Sequence, residues 1–559
     1  MMPPPKKPLR PIADLARALD LPDAAWEPYG RYRAKIDHRL AQDSARPGAK
    51  LVLVTAVNPT PAGEGKTVHT IGLSMALERL GKRTIATLRQ PSMGPIFGVK
   101  GGGCGGGAST LEPAEQINLH LTGDFHAVAA ANNLLCAALD TSMLLGNPAQ
   151  LDPERVSFPR VVDMNDRALR QIRIGLGGAQ NGVPRDASFT ITSASEVMAI
   201  LALSTGIADL RRRLGAIQVG ERLSGEPVQA EELGVAGAMA ALLRDALDPT
   251  LVQTVEGTPA LVHTGPFANI AHGNCSILAD RIAAAHADYV VTEAGFGADM
   301  GAEKFFNLKC RLSGMRPDAA VLVTTVRALK VHSGKFSLKP GKALPKELES
   351  EDLAALEAGL PNLEAHLETL RLFGVPAVVA INRFPSDTPA ELARIEARAL
   401  AAGASSVAQS FVFAKGGEGG RALAEAVVAA AESGRADFRP LYGLELPLKD
   451  KLARVATQVY GAAGVSYEAR AQEQLWRAES QGHGRLPICV AKTQFSLSHD
   501  PKLLGRPRGF DLSVRGLTVL AGAGFAVPLC GDIQTMPGLG SKPSYRGIDL
   551  DSEGRIVGL

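Results

Sequence analysis

Hydrophobic residues fall into two alternating patterns along this chain. Short runs rich in Val, Ile, Leu and Ala at 51–57, 84–88, 287–292, 319–326 and 375–381 are apolar throughout, not at every second residue. A strand covered by helices on both faces reads this way, because neither face meets water. Between the runs lie longer Ala/Leu-rich stretches that predict helices over 67–80, 194–203, 235–247, 353–372 and 391–401. The alternation predicts an α/β fold with a mainly parallel sheet. Residues 160–247 read as an inserted α/β region and 441–559 as a smaller C-terminal domain. The core is then left to 1–159 and 248–440.

Composition narrows the class. The chain has 559 residues, and its 60 Lys+Arg against 57 Asp+Glu give a net charge of +3. That balance exerts little pull on nucleic acid or acidic membranes. An apolar fraction of 45% excludes disorder as the main state. Six scattered cysteines, Cys104, Cys136, Cys275, Cys310, Cys489 and Cys530, form no CxxC pair and read as reduced, buried thiols. The basic start has no apolar stretch behind it, and the longest apolar runs fall short of the roughly 18 residues a membrane span needs. The expected location is the cytoplasm, with no nucleic-acid or membrane partner.

The strongest local signal follows the first apolar run. Thr60, Pro61, Ala62, Gly63, Glu64, Gly65, Lys66 and Thr67 lie between a predicted strand and a predicted helix. A phosphate loop needs glycines so that backbone N–H groups turn inward onto phosphate oxygens. It also needs a Lys for the outer phosphates and a hydroxyl for Mg²⁺. Gly63, Gly65, Lys66 and Thr67 meet those needs, and the helix N-terminus adds its partial positive charge. Thr60 stands where the first glycine of the usual pattern would be. The core is therefore expected to be a P-loop nucleotide-binding core. A nucleotide site alone names no reaction. Asn382, with Asp387 close behind, is similar to the base-reading pair of GTPases.

Arg89 and Gln90 end the next apolar run, and a glycine belt follows to Gly107. Glycine there admits close backbone approach to a ligand, and Arg89 offers a planar fork for a carboxylate or phosphate. Asp124 and His126 stand at the head of a further helix, where a structural role for His126 is at least as well supported as a catalytic one.

The segments TPAGEGKT, RQPSMGPIFGVKGG, NLHLTGDFHAV, RVVDMNDRALR, SEVMAILAL, GPFANIAHG, VVTEAGFGADMGAEKFF, INRFPSDT, AKGGEGG, AKTQFSLSHDPKLLG and GDIQTMPGL occur in that order. Together they resemble the formate–tetrahydrofolate ligase family from about residue 50 to the C-terminus. The resemblance implies ATP-dependent joining of formate to tetrahydrofolate through formyl phosphate, with Mg²⁺, a possible monovalent cation (potassium or ammonium) and a homotetramer. It assigns the nucleotide to residues 60–67, with Lys66 and Arg89 as catalytic residues. Arg89 would clamp formate and then formyl phosphate. Gln90, Phe384 and Phe413 fall at the folate site, the two aromatics sandwiching the pterin. Thr67, Glu293 and Asp299 are candidates for the metal, the last two weighed evenly against a role in loop structure.

The chain also departs from the family pattern. Gln90 stands where a Glu is usual, Ala108 and Ser109 where a Tyr is usual, and Phe413 where Trp is common. Histidines are usual near Thr141-Ser142-Met143-Leu144-Leu145, and Asn274-Cys275 inverts the usual order. Two further readings therefore stand beside the ligase. One is a related acyl-phosphate ligase with another acceptor; the other is a nucleotide-driven switch.

Overall fold

The apolar runs pair side by side in a computed structural model that describes residues 8–43, 46–100, 103–338 and 344–559. Twelve strands form the main sheet: β1 (Trp26–Pro28), β2 (Ala34–Ile36), β3 (Lys50–Ala56), β4 (Thr84–Leu88), β5 (Gly105–Gly106), β6 (Ser109–Glu112), β7 (Thr250–Thr254), β8 (Pro259–Val262), β9 (Tyr289–Glu293), β10 (Ala319–Thr324), β11 (Ala377–Asn382) and β12 (Ser406–Ser410). Their order across the sheet is β1-β2-β7-β8-β4-β9-β3-β10-β11-β12, with β6 joined to β7 and β5 to β6. All neighbours from β8 to β12 are parallel. The β1, β2, β5, β6 and β7 edge is antiparallel.

Strand β3 explains why its run is apolar on every position. Val52, Val54 and Ala56 pack with Leu73, Ala76 and Leu77 of α1 (Lys66–Arg79) on one face. Leu51, Leu53 and Val57 join the larger cluster on the other. Each fully buried Val or Leu contributes roughly 1.5–3 kcal/mol. The expected helices form with small boundary shifts: α3 (Glu196–Leu203), α4 (Ala236–Leu242), α7 (Leu353–Leu372) and α8 (Pro389–Ala401). The prediction over 235–247 ran past α4 into a separate 3₁₀ turn at Asp245–Leu247. Pro389 and a Thr388–Glu391 capping box move the start of α8 two residues earlier than expected.

Helix α2 (Asp124–Leu144) follows a short helix at Ala114–Leu119. The stretch Ala114–Leu144 is long and apolar enough, by length and composition, to cross a membrane. It is broken by the left-handed backbone at Leu121 and Gly123. Phe125, Val128, Ala131, Leu135 and Leu139 of α2 belong to the main core.

Beyond residue 440, α11 (Leu448–Gln458) and α12 (Ala469–Ser480) pack with Tyr442, Leu512, Val514 and Leu517 in a core cluster of their own. Helices α5 (Ile277–His286), α6 (Val326–His332), α9 (Val412–Gly419) and α10 (Arg421–Ala431) complete the cover of the sheet. The sheet's C-terminal edge gathers the ends of β3, β4, β9, β10 and β11 where strand order reverses, the place such sheets offer ligands.

Candidate active site

The turn from β3 into α1 is built on two left-handed glycines, Gly63 (φ 76°) and Gly65 (φ 86°). Gly65 is the N-cap of α1 and carries no side chain to cap it, so the first-turn amides face the loop. Lys66 and Thr67 open the helix. Glu64 points inward, 2% exposed, and its Oε1 accepts from the Thr60 amide at 2.7 Å and the Thr60 hydroxyl at 3.1 Å. Burial pushes the Glu64 carboxyl up, against the pull of Lys66. Burial lowers the ammonium of Lys66, and Glu64 and Glu293 oppose that shift. Pro61, Ala62 and Gly63 are exposed at the rim.

Asn382 at the end of β11 donates to the Glu64 carbonyl at 3.1 Å, and a Cβ on Gly65 would meet its Nδ2 at 2.9 Å. Asp387 accepts from the Phe384 amide at 2.8 Å. The pair that is similar to a GTPase base reader is thus occupied, one residue bracing the loop and the other closing its own turn.

Glu293, at the end of β9, brings two loops together. Its Oε2 accepts from the Thr67 hydroxyl at 2.8 Å, and its Oε1 lies 3.4 Å from Arg89 Nη2. Arg89 also donates to the Pro266 carbonyl at 3.1 Å. Gln90 is buried, and its Oε1 meets no partner among the described residues. Lys66, Thr67, Arg89 and Glu293 therefore converge on one corner of the sheet. Asp299 is held elsewhere: its Oδ2 accepts from Lys492 at 2.7 Å and its Oδ1 from Asn58 at 3.1 Å.

Asn58 is the hub behind the loop, and nothing in its sequence context beyond a polar residue after a buried strand marks it. Its amide donates to His366 Nε2 at 2.9 Å, and its carbonyl accepts from His332 Nε2 at 2.8 Å. Its side-chain oxygen accepts from Asn362 at 2.9 Å. Burial pulls His366 down to about 4 and lowers His332, so both rings are neutral at physiological pH. Asp124 pairs with Lys35 at 2.6 Å, and His126 meets His120 at 2.9 Å.

The two expected pterin aromatics occupy the outer rim. The Arg327 guanidinium covers one face of Phe384 at 3.5 Å from the ring centroid. Phe413 is 55% exposed and rests on the glycine belt. The Ala108 amide donates to its carbonyl at 2.8 Å, and a Cβ on Gly107 would sit 2.1 Å from that oxygen, so only glycine fits there. Gly101 and Gly102 of the belt lie outside the described residues.

Comparison with known proteins decides the family. The family model described as formate–tetrahydrofolate ligase matches residues 5–559. A formate–tetrahydrofolate ligase of Roseiflexus sp. (strain RS-1) is 56% identical over 552 residues, covering 99% of this chain and 98% of that protein. Proteins of the same name from Saccharopolyspora erythraea and Desulforamulus reducens are 54% identical over 552 residues and 53% over 550. These alignments cover 99% and 98% of this chain and 97% of each relative. The chain belongs to the formate–tetrahydrofolate ligase family.

Within a formate–tetrahydrofolate ligase framework, the departures fall at different depths. Gln90, which follows Arg89 in the chain, and Asn274, which bridges Ala294 beside Glu293, are both buried. Ala108 and Phe413 meet at the rim through one hydrogen bond. Thr141 to Leu145 lie at the far end of α2, whose 21 residues span about 30 Å, and Leu145 is 72% exposed. Phe125, at the near end of α2, packs where a Cβ of Gly265 would be, beside the Gln90 carbonyl. That last departure is therefore separated from Gln90 by most of the length of a helix.

Proposed function

We propose that the protein joins formate to tetrahydrofolate at the expense of ATP, giving 10-formyltetrahydrofolate, ADP and phosphate. The family match over the full length carries this reading, and the convergence of Lys66, Thr67, Arg89 and Glu293 supports it. A formate oxygen attacks the γ-phosphorus, the bond to ADP breaks, and formyl phosphate forms. The folate nitrogen then attacks the formyl carbon, phosphate leaves with the electron pair, and the nitrogen gives up its proton to the departing phosphate.

The loop from Thr60 to Thr67 would cradle the nucleotide with its open amides. Lys66 would balance charge moving onto the transferred phosphoryl group. Arg89 would hold the two small anions together, and the surrounding glycines would keep water from the acyl phosphate. Thr67 and Glu293 are hard oxygen donors suited to Mg²⁺, which supplies charge neutralisation on the phosphates. Asp299 has an ammonium partner of its own, so we assign it to support of the loop. Phe384 and Phe413 would flank the pterin. Arg383 and Lys415, each about 5.5 Å from the Phe411 ring, would favour the glutamate carboxylates. The separate cluster after residue 440 supports a C-terminal domain from 441 to 559, and a homotetramer, a monovalent cation and a cytoplasmic location complete the reading.

The test is ADP and phosphate release with MgATP, adding formate and tetrahydrofolate singly and together. Turnover requiring both, with a product that becomes methenyltetrahydrofolate in acid, establishes the ligase. Turnover indifferent to tetrahydrofolate identifies an acyl-phosphate ligase with another acceptor.

A further inference from the structure

The segment between β8 and α5 carries more unpaired polar atoms than a protein leaves buried without reason. It runs along the C-terminal ends of β4 and β9. The His263 amide donates to the Leu88 carbonyl at 3.0 Å and the Gln90 amide to the Thr264 carbonyl at 2.6 Å. Further on, the Gly295 amide donates to the Gly273 carbonyl at 3.0 Å, and Asn274 bridges Ala294, the neighbour of Glu293. Its backbone is therefore pinned on both sides of Arg89 and Glu293.

The side chains it presents are not satisfied. His272 and Asn274 are fully buried, yet neither ring nitrogen of His272 and neither amide atom of Asn274 meets a partner among the described residues. The Arg89 Nε, Gln90 Oε1 and Thr264 Oγ1 are also unpaired and buried. Native interiors rarely leave such groups alone, and a cluster of them implies a polar occupant. Thr264 (φ 54°) within the segment and Phe296 (φ 60°) in the turn after β9 both hold left-handed backbone, a strained arrangement that collects at functional sites. The space is small: a Cβ on Gly295 would lie 2.5 Å from Ala268 Cβ and 3.2 Å from Arg89 Nη1. Burial together with Lys309, Arg89 and Lys304 keeps the His272 ring neutral, well below the ordinary histidine range. A neutral imidazole offers one donor and one acceptor, and a carboxamide two donors and a carbonyl acceptor, all without adding charge.

We propose that His272 and Asn274 contact the one-carbon acid and its acyl phosphate, completing with Arg89 a cage that is cationic on one side and neutral on the other. The inference rests on the ligase reading. Arg89 takes the carboxylate charge, while His272 and Asn274 hold the oxygen that does not attack, so that the other oxygen faces the γ-phosphorus. Neutral donors there do not hold the anion so tightly that its nucleophilicity is lost.

The experiment uses the full chain and the variants His272→Leu, His272→Gln and Asn274→Leu, each checked for folding by circular dichroism. His272→Leu and Asn274→Leu should raise the formate KM about tenfold or more, as expected for loss of a hydrogen bond to an anion. The KM for ATP should stay within about twofold of wild type, and His272→Gln should recover part of the loss. A folded variant whose formate KM is unchanged overturns the proposal. A second measurement needs no variant to retain activity: ¹⁵N-histidine-labelled wild-type protein is titrated with sodium formate in the presence of ADP. The ring signal missing from His272→Gln should shift, and its failure to shift overturns the proposal even where turnover is normal. Wild-type protein that shows the shift but no formate-dependent turnover would instead defeat the ligase reading.

Discussion

Asp299 and Lys492 lie 2.7 Å apart with both side chains fully shielded from solvent. Removing one partner tests whether this carboxylate supports the fold or serves the phosphates. In Asp299→Leu the Lys492 ammonium loses its anion and keeps the Ser496 carbonyl at 2.6 Å, the Thr493 carbonyl at 3.2 Å and the Tyr460 ring face at 4.8 Å. An uncompensated charge buried in this way costs about 3–5 kcal/mol. The Asn58 side-chain Nδ2 also loses one of its two acceptors, keeping the Gln494 carbonyl at 3.3 Å, which adds about 1 kcal/mol at most. Against total stabilities of roughly 5–15 kcal/mol, the single variant should unfold at a markedly lower urea concentration. Asp299→Leu with Lys492→Met removes both charges and both desolvation penalties, so the double variant should recover most of the loss. The assay is urea denaturation of the wild type, both single variants and the double variant, followed by ATP turnover on those that fold. A cost below about 1 kcal/mol for Asp299→Leu would show that the pair does not support the structure. A double variant that regains stability but has lost its Mg²⁺-dependent turnover would refute the structural assignment and return Asp299 to the metal.

Further outcomes follow from the same geometry. On the proposed role of Lys66 at the transferring phosphoryl group, Lys66→Ala should lower kcat by orders of magnitude with little change in stability; a change confined to the KM for ATP in steady-state kinetics would contradict that role. Gly65→Ala forces a side chain into left-handed backbone against Asn382, at about 2–3 kcal/mol; adding Asn382→Ala should return about 1 kcal/mol, and strict additivity in the double-mutant cycle would exclude the clash. On the proposed pterin role, Phe413→Ala should raise the KM for tetrahydrofolate several-fold and leave that for ATP unchanged, since the ring is exposed at the rim. Glu196, buried with its carboxylate facing the Gly522 and Ala523 amides, is pushed up to about 7 from an ordinary 4.5. The folded state then holds the proton more tightly than the unfolded chain. Its contribution is complete below pH 4.5 and is lost as pH rises through 7, about 3 kcal/mol in all. Glu196→Gln should flatten stability measured by urea unfolding between pH 5 and 8, and an unchanged slope would refute the assignment.

The parallel centre of the sheet, β3, β4, β9, β10 and β11, was legible because period and burial are local properties, whereas the short antiparallel edge strands were not. A run apolar along its length has no wet face, so 51–57 and 319–326 read as interior strands; β3 divides its residues between two core clusters as that requires, while β10 stops at Thr324 because Thr325 caps α6. The loop from Thr60 to Thr67 was legible for a related reason: its glycines and its Lys-Thr pair follow from chain geometry at one turn. What sequence order cannot carry is which separate turns meet. Thr67 and Glu293 are 226 residues apart, Asn58 and Lys492 still further, and only the insertion of β9 between β3 and β4 brings the first two within 2.8 Å. The same packing separates residues that looked alike in the sequence. Glu293 and Asp299 stand six positions apart in one motif, but β9 ends between them and the chain turns Asp299 inward to Lys492. Residue type and spacing set the elements and the chemistry available to this protein. The strand order of the sheet decided which of those groups share a site, because contact between distant residues depends on the packed core and on no feature of either segment alone.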